Sequence, residues 1–317
     1  MVQPQTTGLA TINMGIFDKL FSGDKKGPSR LDVATRFQLD RQSTAGTMST
    51  FRVAKEIGTG KLFGIKFLDT EKTEYFKNRF KGLKKPTEGQ IAMQFKHPLI
   101  VETYEFGKTV AGQEYILMEH LAGAGVDYLC RKKDASLFGP HRMKLIRQMA
   151  KALQVVHDAG FIHRDVCPRN FICNKDASSL KLIDFGLTVP NEPAYRAPGN
   201  RTGTPQYMAP EIVRRRATDH RLDVFAFGVT VYRMLTFEHP WGSTDTTGNT
   251  ALAHDTANPK PITDCQPNLD PRLADAIMKC LSVKPDDRPD TFKKFLLMIR
   301  DVKQDCLLYT SPSPRDS

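Results

Sequence analysis

His163-Arg164-Asp165-Val166-Cys167-Pro168-Arg169-Asn170 sets an Asp and an Asn five residues apart, directly after an amphipathic helix expected from Met143 to Gly160. Working outward, Asp184-Phe185-Gly186 follows inside an apolar run, and Gly203-Thr204-Pro205-Gln206-Tyr207-Met208-Ala209-Pro210-Glu211 comes next. A lone His-Arg-Asp reads equally well as a surface loop. Three such pieces in this order, with Asn170 and Asp184 in register, rarely arise by chance.

Together they resemble the catalytic loop, metal-binding turn and substrate-docking segment of the eukaryotic-type protein kinases, and the resemblance runs from about Arg36 to Asp305. It implies Asp165 as the base that orients a substrate hydroxyl, with Asn170 and Asp184 as oxygen ligands for Mg²⁺, or Mn²⁺ in its place. Lys66, ending the apolar Phe63-Gly64-Ile65-Lys66, matches the Lys that holds the α- and β-phosphates of ATP. A Lys snorkelling from a strand end is the plainer reading. Glu88 fits its helix partner, although Pro86 starts or kinks the helix just before it, which would confine the pair to some states. Met118 matches the gatekeeper, and the backbone of Glu119 and Leu121 would offer hydrogen bonds to adenine. Glu211 and Arg288 match a buried ion pair, and Asp223 matches the helix Asp that anchors the catalytic loop. Thr204 matches the Ser/Thr kinases rather than the tyrosine kinases. Thr188, Tyr195 and Thr202 lie between Asp184 and Glu211, with Thr202 the expected phosphosite and Arg164 its expected receiver.

Several positions depart from the pattern. The glycine-rich loop positions hold Thr44, Gly46 and Ser49, so one glycine of three survives. Phe51 and Gly64 stand where Val and Ala are usual; a larger roof facing a smaller neighbour would conserve cavity volume, and unrelated drift is the alternative. Cys167 replaces a Lys that contacts the transferring phosphate, and Arg169 reads as its substitute. Cys167 is then either modifiable or an inert small residue. Gly125 and Arg233 stand where kinases that favour basic peptides carry Glu, which argues against Arg-directed substrates.

The chain has 317 residues, is 40% hydrophobic, and carries a formal net charge of +11 with a pI near 9.3. That length buries a sizeable core. The basic residues are dispersed, apart from Lys84-Lys85 and Arg214-Arg215-Arg216, with no aromatic-interleaved stripe or zinc-finger spacing. We therefore expect no nucleic-acid partner. Six cysteines show no C-x-x-C pair, and no secretory signal or membrane-spanning apolar run is present, which fits reduced thiols in a cytoplasm.

Residues 1–35 read as a leader or linker, with Met14 as the natural start and Lys19 spoiling a myristoylation pattern at Gly15. Residues 306–317 read as a sequencing-adapter artefact beyond which further sequence, including any anchor, has been lost. Between them the pattern is α+β. A small antiparallel-sheet lobe over 36–121 has strands around Phe37-Gln38-Leu39, Thr50–Val53, Leu62–Leu68, Val101–Phe106 and Tyr115–Glu119. A Gly58-Thr59-Gly60 turn joins two of them, and one main helix ends before Lys96-His97-Pro98. A larger, mostly helical lobe over 122–305 has helices at Arg142–Ala159, Asp223–Thr236, Arg272–Ser282 and Thr291–Val302. The resemblance implies a bilobal ATP- and Mg²⁺-dependent Ser/Thr protein kinase domain of the bacterial eukaryotic-like group. The rival readings are a pseudokinase that binds nucleotide or scaffolds without transfer, and a small-molecule kinase. The Ala-Pro-Glu and Asp223–Gly228 segments argue against the small-molecule kinase and for a protein substrate.

Overall fold

Strand β3 (Leu62–Leu68) alternates in a way that fixes the first lobe. Phe63 and Ile65 point into an apolar core with Leu31, Phe37, Ala54, Tyr115 and Leu117, so Gly64 and Lys66 must face the other way. The computed structural model describes residues 30–46, 48–199, 202–242 and 248–303. Within them β1 (Phe37–Ala45), β2 (Ser49–Glu56), β3, β4 (Thr103–Lys108) and β5 (Glu114–Glu119) form one antiparallel sheet in the order β1-β2-β3-β5-β4. The β2–β3 connection is the expected Gly58–Gly60 turn. The Met14 start and the adapter reading lie outside the described residues. Residues 30–35, read as linker, pack onto the sheet through Leu31, which is buried in its core, and Arg36 beside them pairs with Glu56 and Glu105 at 3.2 and 2.9 Å.

Two helices stand where one was expected. Helix α1 (Thr70–Asn78) buries only Phe76, so its charged sequence hides the apolar period that would have announced it. Helix α2 (Glu88–Ala92) is five residues long and opens on Glu88 itself. Thr87 and Gln90 close a reciprocal capping box, at 3.3 and 2.9 Å, directly after Pro86. Pro86 thus ends the preceding loop and leaves Glu88 in the first turn.

The second lobe is helical. Helix α3 (Val126–Lys132) follows the connection from β5, and α4 (Arg142–Asp158) lays a buried stripe including Leu145, Ile146, Met149 and Leu153 against the core. After α5 (Pro210–Val213), helix α6 (Arg221–Thr236) is buried on every side from Leu222 to Thr236 except at Arg233, as befits the helix at the lobe's centre. Helices α7 (Gly248–Thr256), α8 (Pro271–Cys280) and α9 (Phe292–Met298) surround it. Two short ladders, Phe161–Ile162 with Val189–Pro190 and Phe171–Cys173 with Leu180–Leu182, line the face toward the sheet. Among the described residues no helix is long and apolar enough to cross a membrane.

The junction is tight. Gly123 has no room for a Cβ against the Cys173 carbonyl, and the Cys173 amide donates to Ala124 O at 2.9 Å. Gly123 is therefore a point of close backbone approach that straps the connecting segment to the helical lobe.

The Phe51–Gly64 exchange has a steric basis. A Cβ on Gly64 would lie 2.7 Å from the Phe51 ring and 3.2 Å from Met118 Cγ. Gly64→Ala should cost about 1–3 kcal/mol by overpacking. Adding Phe51→Val should recover most of that loss, so that the two changes are non-additive in a urea-denaturation double-mutant cycle. Additive losses would show that the two positions are independent.

Candidate active site

The loop at 163–170 is held from below by Asp223, which is completely buried. Its Oδ2 accepts from the His163 amide and meets His157 Nε2, both at 2.8 Å, while Oδ1 accepts from the Arg164 amide at 2.8 Å. Burial alone would raise this carboxyl, but the His157 bond and charge and the backbone donor hold it below the usual Asp range. Arg164 takes φ 68°, a left-handed conformation that costs an ordinary residue energy, and the carboxylate bond to its amide fixes it there. The Arg164 side chain is buried, which lowers its pKa to about 10, and its Nη2 donates to Thr202 Oγ1 at 3.3 Å.

Asp165 then projects into the cleft. Its Oδ1 accepts from the Thr204 amide at 3.1 Å and from Thr204 Oγ1 at 2.8 Å. Asn170 Nδ2 donates to Asp165 O at 2.7 Å and to Oδ2 at 3.1 Å. Arg169, exposed, donates from Nη2 to Thr204 Oγ1 at 2.9 Å, so that the Thr204 hydroxyl bridges this guanidinium and the Asp165 carboxylate. Cys167 is buried, 3.9 Å from Thr204 Oγ1, and burial, then the Asp165 charge, pushes its thiol up to about 12. Of its two readings, the geometry fits the inert small residue, because a thiol with that pKa supplies almost no thiolate.

On the opposite wall Lys66 Nζ lies 2.5 Å from Glu88 Oε1 and 2.9 Å from Asp184 Oδ1. Burial would strip the proton from this ammonium, but the two carboxylates reverse that and raise its pKa above the ordinary value. Asp184 is held below its usual range: Lys66 outweighs the opposing effect of burial, and the Gly186 amide adds a bond at 2.9 Å. Glu88 is pushed up by burial and by the Asp184 charge, which Lys66 offsets in part. The pair expected to form only in some states is formed here. Phe185 is buried and stacks on Phe95 at 4.9 Å, with His163 at 5.7 Å, and this apolar column fixes the direction of Asp184. Phe95 was absent from the sequence reading; its only signal was an apolar residue just before Lys96-His97-Pro98.

The two oxygen ligands implied for a divalent cation are neighbours, because the Ile183 amide donates to Asn170 O at 2.8 Å. Among the described residues Asn170 Oδ1 and Asp184 Oδ2 accept no hydrogen bond, since Asn170 spends its Nδ2 on Asp165 and Asp184 spends its Oδ1 on Lys66. Two hard oxygens with open lone pairs fit Mg²⁺, which takes few protein ligands and completes its shell with phosphates and water. No group of three His, Cys, Asp or Glu suited to a metal occurs among the described residues.

The positions expected to meet a nucleotide share one face of the sheet. Thr44 pairs with Phe51 and Phe51 with Lys66, giving a row across β1, β2 and β3, while Gly64 pairs with Met118. Ser49 opens β2 on the same face, and the Gly46 amide donates to Ser49 O at 2.8 Å across the hairpin. Glu119 is pinned by a bond from the Glu102 amide at 2.8 Å and by an ion pair to Lys181. The chain then runs through His120 to Leu121. At the far end Arg288 and Glu211 form a buried two-pronged pair with both contacts at 2.8 Å. Sequence reasoning missed the cluster of Arg233, Asp127 and Tyr207 beside this site, whose members are far apart in the chain.

Comparison with known proteins agrees with this geometry. The family model described as Protein kinase domain matches residues 37–298. The chain is 30% identical over 228 residues to the serine/threonine-protein kinase pkn3 of Myxococcus xanthus, covering 69% of this chain and 41% of that protein. It is 28% identical over 271 residues to the serine/threonine-protein kinase PknB of Mycolicibacterium smegmatis, covering 82% and 41%. To the calcium/calmodulin-dependent protein kinase type I of Schizosaccharomyces pombe it is 29% identical over 262 residues, covering 80% and 75%. The chain thus spans about two fifths of the length of the first two relatives. On the matched residues and the site they form, the chain belongs to the protein kinase domain family.

Proposed function

We propose that this chain transfers the γ-phosphoryl group of ATP to Ser or Thr hydroxyls of protein substrates. The observation that carries the proposal is the assembled opposition of two charged sets across one cleft. Lys66 is already paired with Glu88 and Asp184, and Asp165 is already oriented by Thr204 and Asn170. Catalysis of this reaction is mostly positioning and charge neutralisation, and both sets serve those ends.

In this reading Thr44, Gly46 and Ser49 lie along the phosphates, Phe51, Gly64 and Met118 wall the adenine, and the backbone of Glu119 and Leu121 meets its edge. Lys66 contacts the α- and β-phosphates. The substrate oxygen forms a bond to the γ-phosphorus while the bond to the bridging oxygen of ADP breaks, and Asp165 takes the hydroxyl proton. Bound through Asn170 Oδ1 and Asp184 Oδ2, Mg²⁺ would neutralise phosphate charge. Arg169 supplies a further positive charge beside the acceptor, in the place left by Cys167.

Radiolabel transfer from ATP to a mixed Ser/Thr peptide pool, and to the chain itself, tests the proposal. Label should appear in the wild type, and Asp165→Asn should reduce kcat by about 10²–10⁴-fold. Asp184→Asn should abolish the metal-dependent signal. Asp165→Asn should retain wild-type thermal unfolding, while Asp184→Asn, which leaves the Lys66 ammonium with Glu88 alone, should still unfold cooperatively but at a lower temperature. No label in the wild type, or equal label in Asp165→Asn, would refute the assignment.

Arg169→Ala should lower kcat by about 10²–10³-fold, the scale of losing one donor to transition-state charge, with a smaller change in KM. Steady-state kinetics on a single peptide checks this. An unchanged kcat would show that nothing compensates for Cys167.

A further inference from the structure

The wall of the acceptor site formed by α3 and α6 is cationic in a specific way. Arg233 is the one residue between Leu222 and Thr236 on α6 that is not buried. Its Nη1 donates to Asp127 Oδ1 at 2.8 Å and to the Tyr207 hydroxyl at 2.7 Å. Tyr207 lies three residues beyond Thr204, the partner of Asp165. Asp127 Oδ2 accepts from Arg131 Nε at 2.8 Å, and Arg131 is 64% exposed. Helix α3 also packs against the turn Pro168–Asn170, which carries exposed Arg169. Two guanidinium groups therefore hold the Asp127 carboxylate, one on each oxygen, and the guanidinium of Arg169 stands on the adjoining turn.

We infer that this wall selects protein substrates carrying Asp or Glu beside the acceptor Ser or Thr, an inference that rests on the phosphotransfer reading above. A substrate Arg arriving here meets a carboxylate whose charge is already matched by Arg233 and Arg131, and faces Arg131 and Arg169 as like charges. A substrate carboxylate meets exposed guanidinium donors whose planar fork suits it. Attraction for one class and repulsion of the other act together, which is how a binding wall discriminates. The net charge of +11 steers in the same direction.

The experiment is a positional-scanning Ser/Thr peptide library phosphorylated by the full chain with Mg²⁺ and ATP, followed by kinetics on the best peptide. Acidic residues should be enriched at positions flanking the acceptor. Arg131→Gln should raise KM for the acidic peptide about threefold with kcat unchanged. Asp127→Asn should lower it, because both guanidinium groups are released; a merely structural role for these residues would not move KM in opposite directions. Transfer with flat or Arg-enriched preferences overturns the inference and leaves the kinase reading intact. Absence of transfer to any peptide and to the chain itself overturns the kinase reading instead. In that case fluorescence anisotropy of labelled acidic and basic peptides decides the inference: tighter acidic binding supports it, and equal or weaker acidic binding ends it.

Discussion

The Lys66 ammonium is the interaction on which the cleft depends. Burying an isolated cation is expensive, and this one is tolerated because Glu88 and Asp184 stand at 2.5 and 2.9 Å. The three residues come from a sheet strand, the first turn of α2 and the loop beyond Leu180–Leu182, so one charge joins three otherwise separate pieces of chain. Loss of either carboxylate would leave a buried charge short of compensation. The short α2 follows from this arrangement: its capping box fixes the backbone directly at Glu88, so the helix needs no length beyond it.

A second buried charge does the equivalent work on the other wall. Asp223 uses both oxygens on the loop, and the left-handed Arg164 between them turns Asp165 toward the cleft. Asp184 has the same φ of 68° and is secured by Lys66, by the Gly186 amide and by the Phe185–Phe95 stack. Backbone strain is thus found at the two turns that aim Asp165 and Asp184, and each is surrounded by contacts that hold it.

Much of this was legible in the sequence because motifs at fixed spacing carry side chains that only a particular backbone brings together. The strands, helices α4, α6, α8 and α9 and the Lys66–Glu88, Glu211–Arg288 and Asp223 contacts follow from them, whereas helix α7 was not foreseen. What stayed hidden has physical reasons. Helix α1 buries one side chain and has no stripe to read. Phe95 is one apolar residue among many until it stacks on Phe185. Asp127, Tyr207 and Arg233 come from three distant segments, and no local pattern announces an ion pair across them. Residues 30–35 looked like linker because Leu31 is their only buried apolar residue. The Phe51–Gly64 pair was visible as an exchange of size, but only the 2.7 Å approach shows that the two positions constrain one another.

The central claim is that Lys66, Asp184 and Asn170 form a site for ATP with a metal ion, rather than a salt-bridge network that merely stabilises the lobes. Isothermal titration calorimetry of the chain with ATP, in the presence and absence of Mg²⁺, tests it most directly. The account predicts that Mg²⁺ tightens ATP binding by about tenfold or more, equivalent to about 1.4 kcal/mol, and that Asp184→Asn removes this difference. Equal affinity with and without Mg²⁺, or no ATP binding by the folded chain, would contradict it.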